Sequence, residues 1–317
     1  MRGTLNSASF DLDTIHHVDF PEVATLIYRS LVHWYESRLR QGARFGDQPA
    51  PFQIFPQVYE ALDPGESIVA REQGSSRILG VCFVHPRETH FAVGIVATLP
   101  DVAGRGVARA MMLEALQRAC AVEKPVRLVS SLQNLDSYSL YSKLGFVPRE
   151  IFQDLLITVP EDGIDSPAPV GLEHIRTAHR NEAARLADFE ASLRGIRREK
   201  DYQFFLNNEV GSWHTWVSED ASGSLKGVLT VSKNPAMPML GPGIVADDTT
   251  AIAMVWHALN NLRGKSYVIL SPATASSLMM QLYRWGARNI ELHVSQGYGE
   301  ASSEKGIVFP TFLPESA

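Results

Sequence analysis

The sequence lacks most of the features that mark secreted, membrane or disulfide-rich proteins. It has 2 cysteines in 317 residues, and neither has a neighbour at metal-ligand spacing, so a disulfide framework and a cysteine metal site are not expected. The longest apolar run, residues 91–100, is too short to span a membrane, which takes ~20 residues. The first ten residues lack the apolar segment of a signal peptide. These absences favour a cytoplasmic protein without a membrane segment.

Positive charge is also scarce. Lys and Arg number 29 against 35 Asp and Glu, a net charge of −6, and no basic run is present, so nucleic acid binding has no support. The histidines at 16–17 and at 174 and 179 lack further ligands at a useful spacing, so no metal site is predicted. What remains is ordinary globular composition, with 45% hydrophobic and 20% charged residues. The length predicts two domains.

A glycine-rich segment at residues 94–109, GIVATLPDVAGRGVAR, is the strongest local signal. It reads as an apolar strand ending near Pro100, a tight loop, and the start of an amphipathic helix. Gly104 and Gly106 permit a sharp turn and a close approach to the backbone. Because the first amides of a helix are unpaired and its dipole is positive there, the segment predicts a site for a phosphate-bearing ligand. An ordinary strand-to-helix turn is the structural alternative.

The loop resembles the pyrophosphate-binding segment of the GCN5-related N-acetyltransferases, the GNAT superfamily, although the Arg or Gln with which that motif usually begins is missing. The resemblance implies acetyl-CoA as cosubstrate. It also implies that Val96 and Thr98 on the preceding strand offer backbone groups to the pantetheine arm. Arg105 either reaches a phosphate oxygen or is solvated. The expected loop contacts are Ala103, Gly104, Arg105, Gly106, Val107, Ala108 and Arg109.

A second segment strengthens the resemblance. After the strand-like run of residues 126–132 come Asn134 and LDSYSLYSKLGF, similar to the family's N-x-x-(small)-x-x-L-Y-x-K-x-G-F pattern. The resemblance implies that Tyr141 is the general acid that protonates the CoA thiolate; the alternative is a core aromatic. Asn134 contacts the pantetheine or a water, caps the helix that follows, or does both. Two motifs in the right order identify residues 10–158 as a GNAT domain.

The strand and helix signals predict an α+β fold with a mixed sheet. A hairpin across QGSS is followed by a strand over residues 90–99 and a strand–helix–strand crossover, which implies a parallel central pair. A helix is expected to begin at Asp19, its cap. Residues 42–56 are expected to form a connection, and the resemblance to the family implies that it covers one side of the acceptor site. In the family the central strands splay apart to admit the pantetheine arm.

Acetyl transfer to an amine also needs a general base, because the amine arrives as an ammonium ion near neutral pH. The candidates are Glu60, His85, Glu88 and His90, which lie in or beside elements expected near the acceptor. No motif selects among the four.

The second half looks like a degenerate copy of the first. Residues 161–170 have the Pro, Gly, Ser and acidic content of a linker, so we expect a catalytic domain over residues 1–160 and a GNAT-like domain over 171–317. The order strand, helix, strand, helix, glycine, strand recurs. IVADDTT replaces AGRGVA, and Asp247 and Asp248 would repel a diphosphate while capping the helix. Residues 194–206 mix positive charge with aromatics and are an interface candidate.

These observations predict an acetyl-CoA-dependent N-acetyltransferase acting on a primary amine of a small molecule or protein. Transfer would be direct, in a ternary complex, because no nucleophilic Cys or Ser occupies a motif position. The alternative is a non-catalytic acyl-CoA-binding module whose second domain binds a partner. The sequence does not select the acceptor or the oligomeric state.

Overall fold

The computed structural model describes residues 9–209, 211–235, 237–299 and 305–315; most of the segment considered for a signal peptide lies outside them. The chain divides into two compact units. Unit 1 comprises residues 1–86 and 91–126, and unit 2 comprises residues 87–90 and 127–317. Among the described residues, none of the helices is long and apolar enough to cross a lipid bilayer.

The described residues of unit 1 form an antiparallel sheet and three α-helices. Its strands pair in the order β1-β2-β3-β4, which includes the hairpin predicted across QGSS. The strands are β1 (Phe10–Thr14), β2 (Ile68–Glu72), β3 (Ile78–Pro86) and β4 (Phe91–Thr98). The helices are α1 (Phe20–Leu39), α2 (Ile54–Leu62) and α3 (Val107–Ala121). The sequence does not predict α2, whose first turn lies in the expected connection.

Helix α1 begins where the sequence predicts, directly after Asp19 and with Pro21 in its first turn. The capping role predicted for Asp19 is wrong, because its carboxylate makes no bond to the helix amides. Both of its oxygens instead accept hydrogen bonds from the guanidinium of Arg71 on β2, at 2.6 and 3.3 Å. This ion pair ties the start of α1 to the sheet of unit 1.

Unit 2 contains the remaining elements. Its helices are α4 (Leu135–Lys143), α5 (Ala183–Arg194), α6 (Glu199–Asn207), α7 (Asp248–Asn260) and α8 (Ser276–Arg284). Its strands are β5 (Val126–Ser131), β6 (Val147–Thr158), β7 (Ile175–Thr177), β8 (Trp213–Glu219), β9 (Leu225–Ser232), β10 (Met239–Val245), β11 (Ser266–Pro272), β12 (Arg288–Tyr298) and β13 (Ile307–Phe309). The sheet order is β5-β12-β6-β11-β10-β9-β8-β7, and β13 pairs with β10.

The order of elements repeats along the chain. The first copy, β1-α1-α2-β2-β3-β4-α3-β5-α4-β6, is followed by β7-α5-α6-β8-β9-β10-α7-β11-α8-β12. In the second copy β10 and β11 are parallel and joined through α7, a strand–helix–strand crossover of the kind that the sequence predicts in the first copy. The predicted α+β class with a mixed sheet is thereby confirmed. Within the described residues, β13 is the strand that has no counterpart in the first copy.

Strand β6 belongs to the first copy by sequence but pairs with two strands of the second. Leu155 on β6 lies opposite Ile269 of β11 on one side and Asn289 of β12 on the other, and both pairings are antiparallel. The boundary between the compact units therefore differs from the boundary between the repeats, because β6 is in the unit whose strands it pairs with. The boundaries 1–160, 161–170 and 171–317 stay a prediction about the repeats themselves.

The segment expected as a linker packs against the core of unit 2. Trp256 on α7 and Trp285, which follows α8, both donate from their indole nitrogens to the hydroxyl oxygen of Ser166, at 3.0 and 3.1 Å. Nearby, the amide of Ile164 donates to the Asn260 side chain at 3.1 Å, and Ile164 itself is buried. These contacts hold the segment in place.

The central residues of segment 194–206, the interface candidate, belong to the interior of unit 2, and an interface role of the segment stays a prediction. Arg198 donates two hydrogen bonds to the carboxylate of Glu190, at 2.7 and 2.8 Å, and Tyr202 donates a third at 3.0 Å. None of the three is more than 1% exposed. The charged and aromatic side chains of the segment pair with Glu190 in the core, because a buried charge needs a paired partner.

Candidate active site

Strand β4 carries a bulge at Gly94. Between the two pairs that flank the bulge, β3 moves two residues, from Val84 to Cys82, while β4 moves three, from Val93 to Val96. The extra residue bends the strand and interrupts its regular hydrogen bonding with β3. Backbone groups at the bulge are therefore available for other partners.

Two predicted contact residues follow the bulge. Val96 and Thr98 are half-buried and lie on the part of β4 that leads to the glycine loop. Their predicted role rests on backbone groups, so their side chains need only fit the surrounding packing. The structure places both in one continuous segment with the loop, as the motif requires.

The glycine loop ends in an uncapped helix. Gly106, at φ +83°, is the residue directly before α3, and no side chain among the described residues caps that end. The first amides of α3, from Val107 to Arg109, have no acceptor within their own helix. A β-carbon at Gly104 or Gly106 would meet nothing within 4 Å, so both glycines face open space. The arrangement offers amides and a positive helix end to an anion.

The one carboxylate of the loop, Asp101, is neutralised by a neighbouring cation. Arg77 on the β2–β3 turn donates to Asp101 at 2.5 Å. This hydrogen bond lowers the pKa of Asp101, so the carboxylate stays ionised and paired. Arg105 and Arg109 of the same segment are exposed, and their charges are available to an anion at the loop.

A tyrosine of α2 fills the space beside the bulge. The Tyr59 hydroxyl occupies the position that a β-carbon on Gly94 would take, so only glycine fits there. The Tyr59 ring stacks on Phe83 with centroids 4.2 Å apart and on His85 at 4.4 Å. The cluster thus connects the bulge of β4 to a titratable side chain on β3. No motif in the sequence points to Tyr59.

His85 is held by a carboxylate. The distance between its Nδ1 and Oδ2 of Asp63, the residue after α2, is 2.5 Å, and His85 is fully buried. A carboxylate at Nδ1 fixes the tautomer with its proton there, so Nε2 carries the lone pair of the neutral ring. This pairing is the arrangement that orients a histidine for proton transfer. Asp63 was not a sequence candidate, since an isolated aspartate after a helix carries no signal.

The other three base candidates lie in different surroundings. Burial raises the pKa of Glu60, although the amide of Gly65 donates to its Oε2 at 2.8 Å and opposes that rise. Glu88 accepts from the Glu199 amide at 2.8 Å and from Arg197 at 3.3 Å, which is a structural role in unit 2. His90 is 2% exposed and lies in the same turn as Glu88.

The second motif lies in unit 2. Asn134 precedes α4, and its side chain accepts a hydrogen bond from the Ser137 amide at 3.1 Å. The capping alternative is therefore confirmed, and contact with a pantetheine arm stays a prediction. Tyr141 is 6% exposed, and its ring lies 6.0 Å from that of Phe146. Its packing agrees with a core aromatic, and its role as acid stays a prediction.

Neither cysteine is placed as a nucleophile. Cys82 is fully buried, and burial raises the pKa of its thiol to about 12. Cys120 is exposed near the end of α3, opposite the end that carries the glycine loop. Within the described ranges, His, Cys, Asp and Glu side chains form no group of three that could hold a metal ion.

The corresponding segment of the second copy is built differently. Residues 99–106 join β4 to α3, whereas only Ala246 and Asp247 join β10 to α7. Asp247 caps α7 by accepting from the Thr250 amide at 2.8 Å, and Asp248 accepts from the Leu278 amide at 3.3 Å. The predicted capping is confirmed. The second copy thus has no glycine loop and two carboxylates at the helix start.

Comparison with known proteins agrees with this geometry. Residues 63–148 match the family model described as an acetyltransferase (GNAT) domain. The fold is similar to that of a proposed acetyltransferase from Pyrococcus horikoshii, with TM-score 0.72, 12% identity, and coverage of 98% of this chain and 96% of that one. It is also similar to a GCN5-related N-acetyltransferase from Sphaerobacter thermophilus, with TM-score 0.60, 16% identity, and coverage of 93% and 96%.

A tandem GNAT protein from the clavulanic acid biosynthesis pathway has TM-score 0.60 and 16% identity, with coverage of 92% of this chain and 100% of that one. At these identities the similarity concerns the fold. No curated protein sequence matches the chain. Residues 63–148 are therefore similar to a GNAT acetyltransferase domain, and the chain has a fold similar to that of a tandem GNAT protein over almost its whole length.

Proposed function

We propose that the chain transfers an acetyl group from acetyl-CoA to a primary amine of a small molecule or protein. The observation that carries the proposal is the segment from the bulge of β4 to α3, where two open glycines lead into an uncapped helix. An uncapped helix end beside exposed arginines suits a diphosphate. The GNAT domain match over the same residues supports acyl-CoA as the ligand class.

The proposed cosubstrate contacts are the backbone of Val96 and Thr98, residues 103–109 and Asn134. Acetyl-CoA supplies the activated acetyl thioester. The amides of residues 107–109 bind and orient its diphosphate, and Arg105 and Arg109 add positive charge. The strand after the bulge offers backbone groups along its edge, and a backbone amide of this strand would stabilise a developing oxyanion.

We assign the general base to His85. Its Nδ1 is bonded to Asp63, which orients the ring and stabilises the imidazolium formed when Nε2 takes the proton of the ammonium. Of the four candidates it is the one whose ring stacks on the tyrosine that abuts the bulge. Glu60 is assigned to holding the loop at Gly65, and Glu88 to holding the turn at residues 87–90.

We assign the general acid to Tyr141. The amine nitrogen bonds to the acetyl carbon, the bond from that carbon to the CoA sulfur breaks, and the sulfur takes the phenolic proton of Tyr141. The nitrogen then gives up its second proton, which restores the phenol of Tyr141 and leaves a neutral amide, and the imidazolium of His85 returns its proton to water. The high pKa of Cys82 and the position of Cys120 support direct transfer without an acyl-enzyme. Both cysteines are free thiols, as is usual in a reducing compartment, and a cytoplasmic location stays a prediction.

The alternative function is an acyl-CoA-binding module without catalysis, and the missing Arg or Gln of the loop motif favours it. Calorimetry with acetyl-CoA, together with CoA release measured against a broad panel of primary amines, separates the two. Release with at least one amine supports the enzyme. Binding of acetyl-CoA without release across the whole panel supports the module, and failure to bind acetyl-CoA contradicts both.

A further inference from the structure

The second copy has its own bulged strand. Opposite β9, Leu240 of β10 faces Val231 and Gly243 faces Leu229, so β10 has one extra residue between these pairs, at Gly241. In the first copy, β4 likewise has one extra residue relative to its partner β3, at Gly94. Counting from the bulge, Gly243 and Val245 of β10 therefore correspond to Val96 and Thr98 of β4.

These corresponding positions are already paired in the second copy. Gly243 lies opposite Phe309 of β13, and Val245 lies opposite Ile307, in an antiparallel pairing. The parallel pairing of β10 with β11 is confined to residues 239 and 240, before the bulge. Beyond the bulge β13 takes over as the partner of β10, and it also lies against β11.

The strand fits this position closely. Phe309 is fully buried, and Val308 is 5% exposed. At the bulge, a β-carbon on Gly241 would come within 2.8 Å of the Pro310 carbonyl oxygen and 3.0 Å of that of Phe309. The glycine is therefore needed for the backbone of the C-terminal segment to approach. In the first copy the bulge glycine faces a tyrosine side chain instead.

Buried arginines hold both ends of the segment. Arg194 donates to the carbonyl oxygen of Gly306, directly before β13, at 3.0 Å. Arg87 donates to the carbonyl oxygen of Glu315 at 2.7 Å and also to the carboxylate of Asp201. Arg194 is 6% exposed and Arg87 is 2% exposed. Two charge-assisted bonds to main-chain carbonyls hold the backbone on both sides of β13 and do not depend on the side chains of the segment.

We propose that the second copy is a binding site for an extended peptide strand, and that its occupant is β13 within the chain's own segment 306–315. The segment takes the edge of β10 that corresponds to the proposed pantetheine edge of β4. No diphosphate site accompanies that edge, since residues 246–247 replace the glycine loop and both aspartates cap helices. The chain accordingly binds one acyl-CoA.

Hydrogen exchange on the full-length chain tests this proposal without any variant. Amides of residues 307–309 and 243–245 should exchange at least ~100-fold more slowly than in an unstructured peptide, with or without saturating acetyl-CoA. Amides of residues 104–109 should gain protection when acetyl-CoA is added. Fast exchange at residues 307–309, or loss of their protection on adding acetyl-CoA, would overturn the proposal. If only the gain at residues 104–109 is missing, the proposed function fails and the strand site stands.

A peptide experiment tests the nature of the ligand. A chain ending at residue 305 should bind the synthetic peptide GIVFPTFLPE one to one and show a higher Tm with it, whereas a scrambled peptide and D-pantetheine should have no effect. The full-length chain should ignore the peptide because its site is filled. A folded truncated chain that binds pantetheine or a second acetyl-CoA, or that ignores the peptide, contradicts the proposal. If the truncated chain does not fold, the exchange experiment decides.

Discussion

His85 and Asp63 are joined by a 2.5 Å contact between Nδ1 and Oδ2 at the buried end of β3. The same pair of residue types occurs in unit 2, where Nδ1 of His293 lies 2.8 Å from Oδ1 of Asp154. Both pairs are buried, but only the first stacks on the tyrosine at the bulge of β4. This difference provides a matched comparison between a proposed catalytic pair and a structural one.

Replacing His85 with Gln should lower turnover by about 10²–10⁴-fold, the range for losing a general base. Gln can still donate to Asp63 but cannot take a proton from the ammonium. The measurement is kcat with acetyl-CoA and the best amine of the panel. The defect should shrink at a pH where the amine is already deprotonated. His293→Gln should keep near-normal turnover, and equal losses in both variants would mean that His85 is only structural.

Replacing Gly106 with Val should weaken acetyl-CoA binding at least about tenfold, equal to a loss of ~1.4 kcal/mol. The branched side chain would enter the open space before α3 that the diphosphate is proposed to fill. Gly74→Val is the control, because Gly74 has a similar φ of +77° and also faces open space. Both variants carry the same backbone strain, ~1–2 kcal/mol. If calorimetry shows that Gly106→Val binds acetyl-CoA with unchanged affinity, the loop does not bind the diphosphate.

Replacing Tyr141 with Phe should reduce kcat by about 10²–10⁴-fold while acetyl-CoA affinity stays near that of the wild type. The ring still packs beside Phe146, so only the proton donor is lost. Tyr138→Phe, one turn earlier on α4, is the matched control and should keep its activity. A Tyr141→Phe enzyme within twofold of the wild type would show that another group or water protonates the thiolate.

Replacing Glu182 with Gln should destabilise the chain at pH 7 by about 1.5–3 kcal/mol, the range for a hydrogen bond to a charged group. Hydrogen bonds from Arg176, at 2.7 and 2.8 Å, lower the pKa of Glu182 from an ordinary 4.5 to about 2. A lowered pKa gives stability that is present above pH 4.5 and is lost as the pH falls towards 2.

The difference in free energy of unfolding between wild type and Glu182→Gln should therefore shrink between pH 4.5 and pH 2. Urea denaturation over that range measures it, with the exposed Glu209→Gln as the control variant. A difference that does not depend on pH would mean that the loss comes from packing, not from the paired charge.

Much of the architecture is predictable from local sequence. The strand, glycine loop and helix of residues 94–109 and the helix start at residue 20 are where the pattern places them, because periodicity, glycine and proline act through nearby backbone. The duplicated order of elements is predictable for the same reason. Helix α2 is missed, since its short apolar run lies among Gly and Pro and gives no clear period.

Long-range pairing is what the sequence leaves open. The motif residues predict an acyl-CoA loop by themselves, because the amides of a glycine turn need no partner elsewhere in the chain. Only the tertiary structure joins His85 to Asp63 and brings Tyr59 against Gly94, since those contacts depend on how α2 packs against the sheet. The pairing of β6 with β11 and β12, and the pairing of β13 with the edge of β10, are likewise seen only in the tertiary structure. Backbone hydrogen bonds between strands carry no residue code, so geometry selects the partner.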